Sequence, residues 1–489
     1  MASVLTLDIG SSSARALLYS DAGQEIEGFE ARVSYHARTT EDGGWEIDAT
    51  ELTAIAAKTL DGICAQLRAQ SIKPDAVAVD TFWHSIMGVA TDGTAATPVL
   101  HPFDSRSAAV AKKLARRIDN AAQHRRTGSV LHPSYPPAKL VWLCETQPDA
   151  FRRAARWMSF GEYLFLEFFG VAACSTSMIS ASGLWNQNAG DYDREMIEAL
   201  PIRADQLPAA GDMDKPQSKL KNEFAKRWPE LDGIPWMPAL GDGACDNVGS
   251  GCATRDRFAL MVGTSGAMRA CAEADAIEIP PGLFCYRVDR RRFVLGGALS
   301  NGSEVFAWMR RTLQLPEPNE AEKQLATLPP GQHGLTIVPL FAGERSPGWR
   351  PDTRAAIAGL GAGTSPIEIL HAALESVALT FREVYELMLQ SLGPPKEVIA
   401  SGGALLHSAV WTRMMADTLS HTVIQCLEPE ATSRGAALLA LERIGAIRSV
   451  NDPAPKLGAT ITPDASKKEL YLAALERQRR LYRKLFEEN

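Results

Sequence analysis

A short segment at the start of the chain combines a carboxylate, a glycine and hydroxylated side chains in one turn. Asp8 lies in an apolar run, and Gly10, Ser11, Ser12 and Ser13 follow it. Backbone N–H groups and side-chain O–H groups in such a turn converge on phosphate oxygens, and a carboxylate at a strand end can hold hydrated Mg²⁺. The segment predicts a phosphate and magnesium site, although a solvated hairpin turn has the same composition.

The same pattern returns in the second half of the chain. Residues 257–274 align with residues 5–20 around Gly263 and Gly10, with Thr264 in the second turn and Met261 at the position of Asp8. Such an echo predicts two domains related by duplication, which we place at residues 1–250 and 251–489. Two facing phosphate turns would clamp a nucleotide from both sides.

Two acidic residues follow the proline-containing segment 233–238, near the predicted domain boundary. Asp242 stands between Gly241 and Gly243, and Asp246 lies four residues further on. A carboxylate among glycines at the mouth of a cleft can take a proton from a hydroxyl that attacks a γ-phosphate. For Asp246 we favour a structural role, as the cap of a helix that begins near Cys245.

A double glycine stands between a predicted strand, residues 397–400, and a predicted helix, residues 411–419. Gly402, Gly403 and Ala404 follow Ser401 in this turn. Glycines before a helix allow a close backbone approach to a flat ligand or a phosphate. A simple packing turn would show the same residues.

The elements that would position these residues alternate between strands and helices. Residues 4–9, 14–19 and 76–80 are short apolar strands, so the fold class is α/β. Capping boxes at residues 365–368 and 466–469 predict two helices, which run to Leu392 and Leu485. The first should be a core helix and the second a charged helix that packs on the domain.

Length and charge exclude several classes of protein. The chain has 489 residues, 45% hydrophobic and 22% charged, which fits two or three globular domains. Its net charge of −7 gives no general attraction to nucleic acid or to an anionic membrane. We therefore expect neither partner, and any anion must be bound locally.

The cysteines and the N-terminus indicate the compartment. The eight cysteines show no metal-ligand spacing, so we expect reduced and mostly buried thiols. The N-terminus lacks the basic and apolar regions of a signal peptide, and the most apolar helical stretch, residues 163–173, is too short to span a bilayer. We infer a cytoplasmic protein.

Five motifs in this order resemble the FGGY carbohydrate kinases of the actin/hexokinase superfamily. They are DIGSSSAR, GDG, GTSG, SGGA and the segment 343–360. Residues 124–143, with 161–163 and 180–183, are most similar to the gluconate kinase branch. The resemblance implies two ribonuclease-H-like domains, the first binding sugar and phosphate and the second nucleotide and ending in a helix, with ATP and sugar meeting in the cleft.

The resemblance also implies roles for individual residues. It makes Asp242 the catalytic base and places Mg²⁺ at Asp8 and Asp242. Contacts to the ATP phosphates and the adenosine are implied for Gly10, Ser11, Ser12, Ser13, Thr264, Gly402, Gly403 and Ala404.

On the sugar side, the resemblance implies contacts by four residues and Asp242. Trp83 and His84 stand where relatives carry a Met-His pair, and Asp104 and Arg106 match an Asp-x-Arg motif. Taken alone, His84 would be a satisfied core residue and Arg106 an ion-pair partner of Asp104. For an acidic sugar we expect Arg106 to bind the carboxylate, with His84 and Lys139 as further donors.

These observations predict an ATP- and Mg²⁺-dependent kinase for a sugar or sugar acid, with gluconate favoured. A pentulose, glycerol or autoinducer kinase is the alternative within the family. An actin-like or chaperone-like ATPase is the alternative from another class, because the same nucleotide clamp serves both. The partners are then small molecules, and the oligomeric state is left open, with a homodimer as the candidate.

Overall fold

The computed structural model describes residues 2–487 and has a mixed α/β architecture, as the sequence predicts. Its strands are β1 Ser3–Ile9, β2 Ser13–Ser20, β3 Glu25–Ser34, β4 Arg38–Thr39, β5 Trp45–Ile47, β6 Ala76–Thr81, β7 Met87–Val89, β8 Val99–Leu100, β9 Arg156–Met158, β10 Cys174–Ser175, β11 Trp185–Asn186, β12 Asp191–Tyr192, β13 Ala210–Gly211, β14 Trp236–Gly241, β15 Arg257–Val262, β16 Gly266–Glu273, β17 Phe284–Arg287, β18 Arg292–Leu299, β19 Thr336–Val338, β20 Ala356–Ala358, β21 Glu397–Ser401, β22 Val423–Cys426 and β23 Leu457–Ile461.

The helices lie between and around these strands. They are α1 Ala49–Ala69, α2 Ala108–Ala115, α3 Asn120–Thr127, α4 Pro136–Thr146, α5 Pro148–Arg153, α6 Phe160–Phe169, α7 Thr176–Ser180, α8 Arg194–Glu198, α9 Asn222–Arg227, α10 Asp242–Gly249, α11 Ser303–Thr312, α12 Pro318–Thr327, α13 Pro366–Leu392, α14 Gly403–Leu406, α15 Ala409–Leu419, α16 Ala431–Arg443 and α17 Lys468–Phe486.

Two large sheets share one strand order. The first sheet runs β14-β6-β1-β2-β3, and the second contains the run β22-β21-β15-β16-β18. In both, an antiparallel hairpin leads and two parallel strands follow beside its first strand. The sequence echo between residues 5–20 and 257–274 is therefore an echo of structure, because each copy forms the central hairpin of its sheet.

The two hairpin turns are closed in the same way. The N–H of Gly10 donates to the carbonyl of Ser13 at 3.0 Å, and the N–H of Gly263 donates to the carbonyl of Ser265 at 2.9 Å. Each turn follows the carboxyl end of a central strand. Parallel neighbours end at the same edge, so each turn has loops from other strands beside it.

Helices α10 and α16 cross at a pair of glycines. A β-carbon on Gly435 would lie 1.8 Å from the carbonyl oxygen of Cys245, and one on Gly249 would lie 1.7 Å from that of Ala431. Only glycine allows backbones to approach this closely. The crossing locks α16 against α10, while α16 also packs on β1 and β6 of the first sheet.

The division at residue 250 stays a prediction, and α16 bears on it. This helix belongs to the second half of the chain, yet Leu438 and Leu441 are buried in the same apolar core as β1 and β6. The two halves are thus tied by a helix as well as by the linker. A cut at residue 250 would separate α16 from the sheet on which it packs.

One capping box is confirmed and the other is wrong. The Ser365 hydroxyl accepts from the N–H of Glu368, whose carboxylate accepts from the N–H of Ser365, and α13 follows. At the second box, Ser466 lies within a short 3₁₀ turn capped by Asp464, and α17 starts only at Lys468. Asp464 lies two residues before Ser466 and captures its N–H, so the cap moves upstream.

Two further expectations concern thiols and membranes. All eight cysteines are free, and all except Cys144 are buried. Within residues 2–487, no helix combines the length and the apolar character needed to cross a membrane.

The helix crossing generates a stability prediction. Gly435→Ala should lower the free energy of unfolding by about 3 kcal/mol or more, because the new methyl group meets backbone atoms that cannot move independently. Urea unfolding followed by circular dichroism measures the change. Gly363→Ala is the matched control, since a β-carbon there has open space around it. Equal midpoints for the two variants would show that the crossing is not tight.

Candidate active site

Three carboxylates come from three adjacent parallel strands of the first sheet. Asp8 in β1 is the register partner of Asp80 in β6, and Asp242 directly follows β14, whose Gly241 pairs with Thr81. The carboxyl ends of neighbouring parallel strands meet at one edge. The acids are therefore neighbours although more than 230 residues separate the first from the last.

Asp242 is the partly exposed member of this group. Its Oδ1 accepts from the N–H of Gly243 at 2.7 Å, while the N–H of Trp83 lies at 3.5 Å. Burial raises the pKa of the Asp242 carboxyl to about 6, against the lowering effects of the Gly243 N–H and of Arg269. A carboxylate with a pKa near 6 is ionised at neutral pH and still accepts a proton readily.

Asp8 lies deeper and is paired with an arginine. The Arg15 Nη2 stands 2.9 Å from Oδ2 of Asp8, and the Ser433 hydroxyl is 3.5 Å from the same oxygen. Burial still raises the pKa of the Asp8 carboxyl, with the Arg15 charge acting in the opposite direction. Arg15 also pairs with Glu430, at the start of α16, so α16 helps to hold Asp8 in place.

Asp80 is fully buried behind Asp8, and sequence reasoning missed it. Among the described residues, no N–H or hydroxyl group donates a hydrogen bond to either carboxyl oxygen of Asp80. Burial raises the pKa of Asp80 well above its ordinary value, and the charges of Asp8 and Asp242 raise it further. Its position in an apolar strand, Ala-Val-Ala-Val-Asp-Thr, was the available signal, because a carboxylate rarely ends a buried strand by chance.

The two hairpin turns offer free backbone donors. Ser11, Ser12 and Thr264 are exposed. Within residues 2–487, no acceptor is bound to the N–H groups of Ser11, Ser12, Thr264 or Ser265. Free N–H groups in a tight turn suit phosphate oxygens, which is the role that the sequence predicts for residues 10–13 and 264.

The double glycine is shaped by the strand beneath it. Gly402 has a φ of 89°, and a β-carbon there would lie 2.4 Å from the carbonyl oxygen of Val262. The backbone therefore passes directly over β15, and Gly403 and Ala404 begin α14 at the surface. A flat group can approach them, and their contact with adenosine stays a prediction.

An aromatic wall faces the acids. The rings of Trp83 and Tyr286 are 5.1 Å apart, and His84 lies 4.8 Å from Tyr135 and 5.2 Å from Tyr286. Trp83 is anchored by its indole N–H, which donates to the carbonyl of Ser177 at 3.0 Å. The wall joins residues from both halves of the chain.

His84 is a neutral hydrogen-bonding group. Its Nδ1 lies 2.6 Å from the carbonyl oxygen of Ala181, which can only accept, so Nδ1 carries the proton and Nε2 is an acceptor. Burial lowers the pKa of His84 to about 3. The backbone at His84 has a φ of 63°, a strained value typical of functional sites.

Asp104 and Arg106 are joined to one another. The Arg106 Nε donates to Oδ2 of Asp104 at 3.0 Å, and its Nη2 donates to Glu46 at 2.6 Å. The guanidinium also lies 4.5 Å from the ring of Trp142. The expectation of a free cation at Arg106 is therefore not met, because two carboxylates already compensate its charge. Contact of this pair with a substrate stays a prediction.

Lys139 is not available as a further donor. Its ammonium donates to the carbonyls of His101 at 2.7 Å and Ser134 at 3.0 Å, with that of His84 at 3.5 Å. These three acceptors match its three protons. Burial lowers the pKa of Lys139 to about 7. Lys139 therefore braces the backbone around His84.

Asp246 does not cap a helix, as we expected it to do. Helix α10 begins at Asp242, which places Asp246 in its second turn. There its carboxylate pairs with Arg269 of β16. The Nε of Arg269 is buried and, among the described residues, has no partner. This arginine of the second sheet acts on Asp242 and was missed by sequence reasoning.

Most of the chain matches one protein family. The N-terminal domain of the FGGY family of carbohydrate kinases matches residues 3–249, and the C-terminal domain of that family matches residues 258–442. The chain belongs to this family. Family membership confirms the predicted resemblance and favours the carbohydrate kinase over the actin-like or chaperone-like ATPase.

Individual relatives support the same assignment. The kinase is 26% identical to a gluconokinase of Bacillus subtilis (strain 168), over 94% of this chain and 90% of that protein. It is 28% identical to a glycerol kinase of Trichlorobacter lovleyi, over 91% of this chain and 90% of that protein. ATP as the phosphate donor follows from the family.

Solved structures show the same fold. A gluconate kinase from Lactobacillus acidophilus superposes with a TM-score of 0.92 at 23% identity, covering 100% of this chain and 99% of that one. A xylulose kinase from the same organism gives an equal TM-score and identity. The kinase therefore has the two-domain fold of the actin/hexokinase type, as predicted.

The buried acid of the kinase generates a prediction. Asp80→Asn should fold normally and gain stability relative to the native protein as pH rises from 5 to 8. A raised pKa in the folded state means that ionisation of Asp80 favours unfolding, and an amide removes that effect. Melting temperatures across this pH range measure the difference, with the exposed Asp191→Asn as control.

Asp80→Asn should be stabilised more relative to the native protein at pH 8 than at pH 5, because only the native protein loses stability as the buried carboxyl ionises. A pH-independent difference between the two proteins would mean that a cation compensates Asp80 at all these pH values.

Proposed function

We propose that this kinase transfers the γ-phosphate of ATP to gluconate, with Asp242 as the general base. The observation that carries the catalytic part is the placement of Asp242. It is the partly exposed acid at the edge where three strands end, and it faces Arg269 of the other sheet. A hydroxyl beside it can lose its proton to Oδ2, since Oδ1 is held by the N–H of Gly243.

The two hairpin turns would hold the ATP phosphates. Unbonded N–H groups of Ser11 and Ser12 belong to the first sheet, and those of Thr264 and Ser265 to the second. Donors from both halves would fix the γ-phosphate between them. Such positioning, with exclusion of water on closure, supplies most of the catalysis in phosphoryl transfer.

The donor set fits a divalent cation. Asp8, Asp80 and Asp242 act on one another electrostatically, and the two carboxyl oxygens of Asp80 lack partners among the described residues. Hard carboxylate oxygens are the ligands that Mg²⁺ prefers. Asp8 and Asp242 would hold the ion, as the family resemblance implies. Bound Mg²⁺ would neutralise charge on the phosphates during transfer.

Gluconate is the proposed acceptor because of the relatives. Gluconokinases of two Bacillus species match 94% of the chain. Glycerol and xylulose are the second candidates, since a glycerol kinase is 28% identical and a xylulose kinase shares the fold. ADP release measured with gluconate, glycerol, xylulose and ribulose separates these. Higher kcat/KM with any neutral acceptor than with gluconate would reject the assignment.

The assigned base can be tested by substitution. Asp242→Asn should reduce kcat at least about 100-fold, because the proton acceptor is lost. The affinity for ATP should change little, because Asp8 and the two hairpin turns that would hold Mg²⁺ and the phosphates are intact. Asp246→Asn, one turn along the same helix, is the matched control and should have a much smaller effect. The choice of base would be wrong if Asp246→Asn proved the more damaging at equal folded content.

The pH dependence of the reaction provides a second test. The pKa of about 6 for Asp242 predicts that kcat/KM for gluconate is constant above pH 7 and falls tenfold per pH unit well below pH 6. Protonation removes the base, so the loss lies on the acid side. Steady-state rates between pH 5 and 9 measure it. An acid limb near pH 4 would exclude a base with a raised pKa.

A further inference from the structure

One arginine at the aromatic wall has no carboxylate partner. Arg345 is partly buried, and its Nη2 donates to the carbonyl of Leu299 at 2.7 Å. Among residues 2–487, no carboxylate pairs with it. The adjacent Glu344 is engaged elsewhere, because its carboxylate accepts from the Tyr482 hydroxyl at 2.7 Å and from the N–H of Gly348 at 3.1 Å.

The backbone around Arg345 is fixed on both sides. The carbonyl of Gly343 accepts from the side chain of Asn301 at 2.8 Å, and the N–H of Ser346 donates to the carbonyl of Ala298 at 2.9 Å. The guanidinium is thus presented from a rigid support. A preorganised donor loses little entropy when it binds a ligand.

Arg345 lies beside the aromatic wall. Its carbonyl accepts from the N–H of Trp349, whose ring lies 5.6 Å from that of His132 and 6.2 Å from that of Tyr135. Its charge acts on both of these residues and on His84 and Tyr286. Among the described residues, the groups that most affect its own pKa after burial are Tyr135, Tyr286 and Arg269, none of which is a carboxylic acid. Burial lowers the pKa of both histidines to about 3, so they stay neutral, and the Arg345 charge contributes to this. Neutral imidazoles and phenols can bind hydroxyl groups, but they cannot compensate a guanidinium.

The other arginines near the wall are already paired with acids. Arg106 is paired with Asp104 and Glu46, and Arg269 is paired with Asp246. The ammonium of Lys139 is occupied by three carbonyl oxygens. An isolated charge in a partly desolvated site is unfavourable until an anion joins it. Among the described residues, Arg345 is therefore the arginine at this wall that lacks an anion.

We propose that Arg345 binds the carboxylate of an acidic sugar and thereby selects aldonates over neutral polyols. The inference rests on the proposed function, and it assigns to Arg345 the discrimination between acidic and neutral acceptors. A guanidinium presents parallel N–H donors that match the two oxygens of a carboxylate. Histidines and tyrosines beside it would bind the hydroxyl groups along the chain.

Arg345 and Asp242 would have different roles on one substrate. Arg269 lowers the pKa of Asp242 and also acts on Arg345, whereas the charge of Arg345 acts on the histidines and tyrosines of the wall. Arg345 would bind the carboxylate beside the wall, while Asp242 takes the proton of the reacting hydroxyl. The γ-phosphate of ATP is the other anion that would lie near Arg345. Arg345 donates to the carbonyl of Leu299, and Leu299 pairs with Gly266 beside the second phosphate turn.

Two acceptor substrates distinguish the sugar carboxylate from the γ-phosphate as the anion that Arg345 binds. Gluconate and D-glucitol differ only at carbon 1, where a carboxylate is replaced by CH₂OH. Arg345→Met should lower kcat/KM for gluconate by roughly 10- to 150-fold, the range for hydrogen bonds to charged groups. Its kcat/KM for D-glucitol and its KM for ATP should change less than about threefold. Arg345→Lys should have a kcat/KM for gluconate between those of Arg345→Met and the native enzyme, because it keeps the positive charge and loses the paired N–H donors of the guanidinium.

Controls keep the result interpretable. Arg354→Met removes a charge from an exposed arginine of the same loop and should match the native enzyme. Calorimetric titration of gluconate into each variant with a non-hydrolysable ATP analogue reports binding without turnover. A melting temperature within about 3 °C of the native value shows that Arg345→Met is folded.

Three outcomes would overturn the inference. A raised KM for ATP with unchanged gluconate binding would assign Arg345 to the phosphate. Equal losses with gluconate and D-glucitol would make it a positioning residue for the wall. Unchanged kinetics would give it no part. Failure of the proposed function is a separate result, because it appears in the native enzyme as a preference for a neutral acceptor.

Discussion

The glycine crossing of α10 and α16 is the constraint on which the site depends. Asp242 starts α10, and Glu430 and Ser433 lie at the start of α16, next to Arg15 and Asp8. The crossing therefore fixes the base relative to the carboxylate of the first strand. Helix α10 also contacts β16, so the base is connected to the sheet that carries the second phosphate turn.

The cleft is a balance of buried charges. Three acids lie at one edge, and arginines lower the pKa of each: Arg15 acts on Asp8 and on Asp80, and Arg269 acts on Asp242. Asp80 lies behind them and is compensated least, so its ionisation is unfavourable. At the aromatic wall, Arg345 is paired with no carboxylate of the described residues. Bound ligands would compensate both uncompensated charges. A cation would compensate the three acids, and an acidic substrate would compensate Arg345.

Local sequence patterns predicted the strands, turns and helices better than they predicted the contacts between side chains. The turn around Gly10 and its echo around Gly263 are hairpins of identical position in their sheets. The box at Ser365 caps α13, with both of its reciprocal hydrogen bonds present. The box at Ser466 fails because Asp464 binds the same backbone donor first. Neighbours a few residues away decided whether each short motif held.

The sequence by itself determined the α/β class, the duplicated hairpins and the family, because these depend on periodicity and on motifs that are contiguous in the chain. The tertiary structure alone decided which charges are compensated. Arg106 and Arg345 both lie in motifs that resemble those of the family, yet among the described residues the fold pairs two carboxylates with Arg106 and none with Arg345. Pairing across 60 residues, as between Arg106 and Glu46, follows from sheet register and loop packing, which no local pattern encodes.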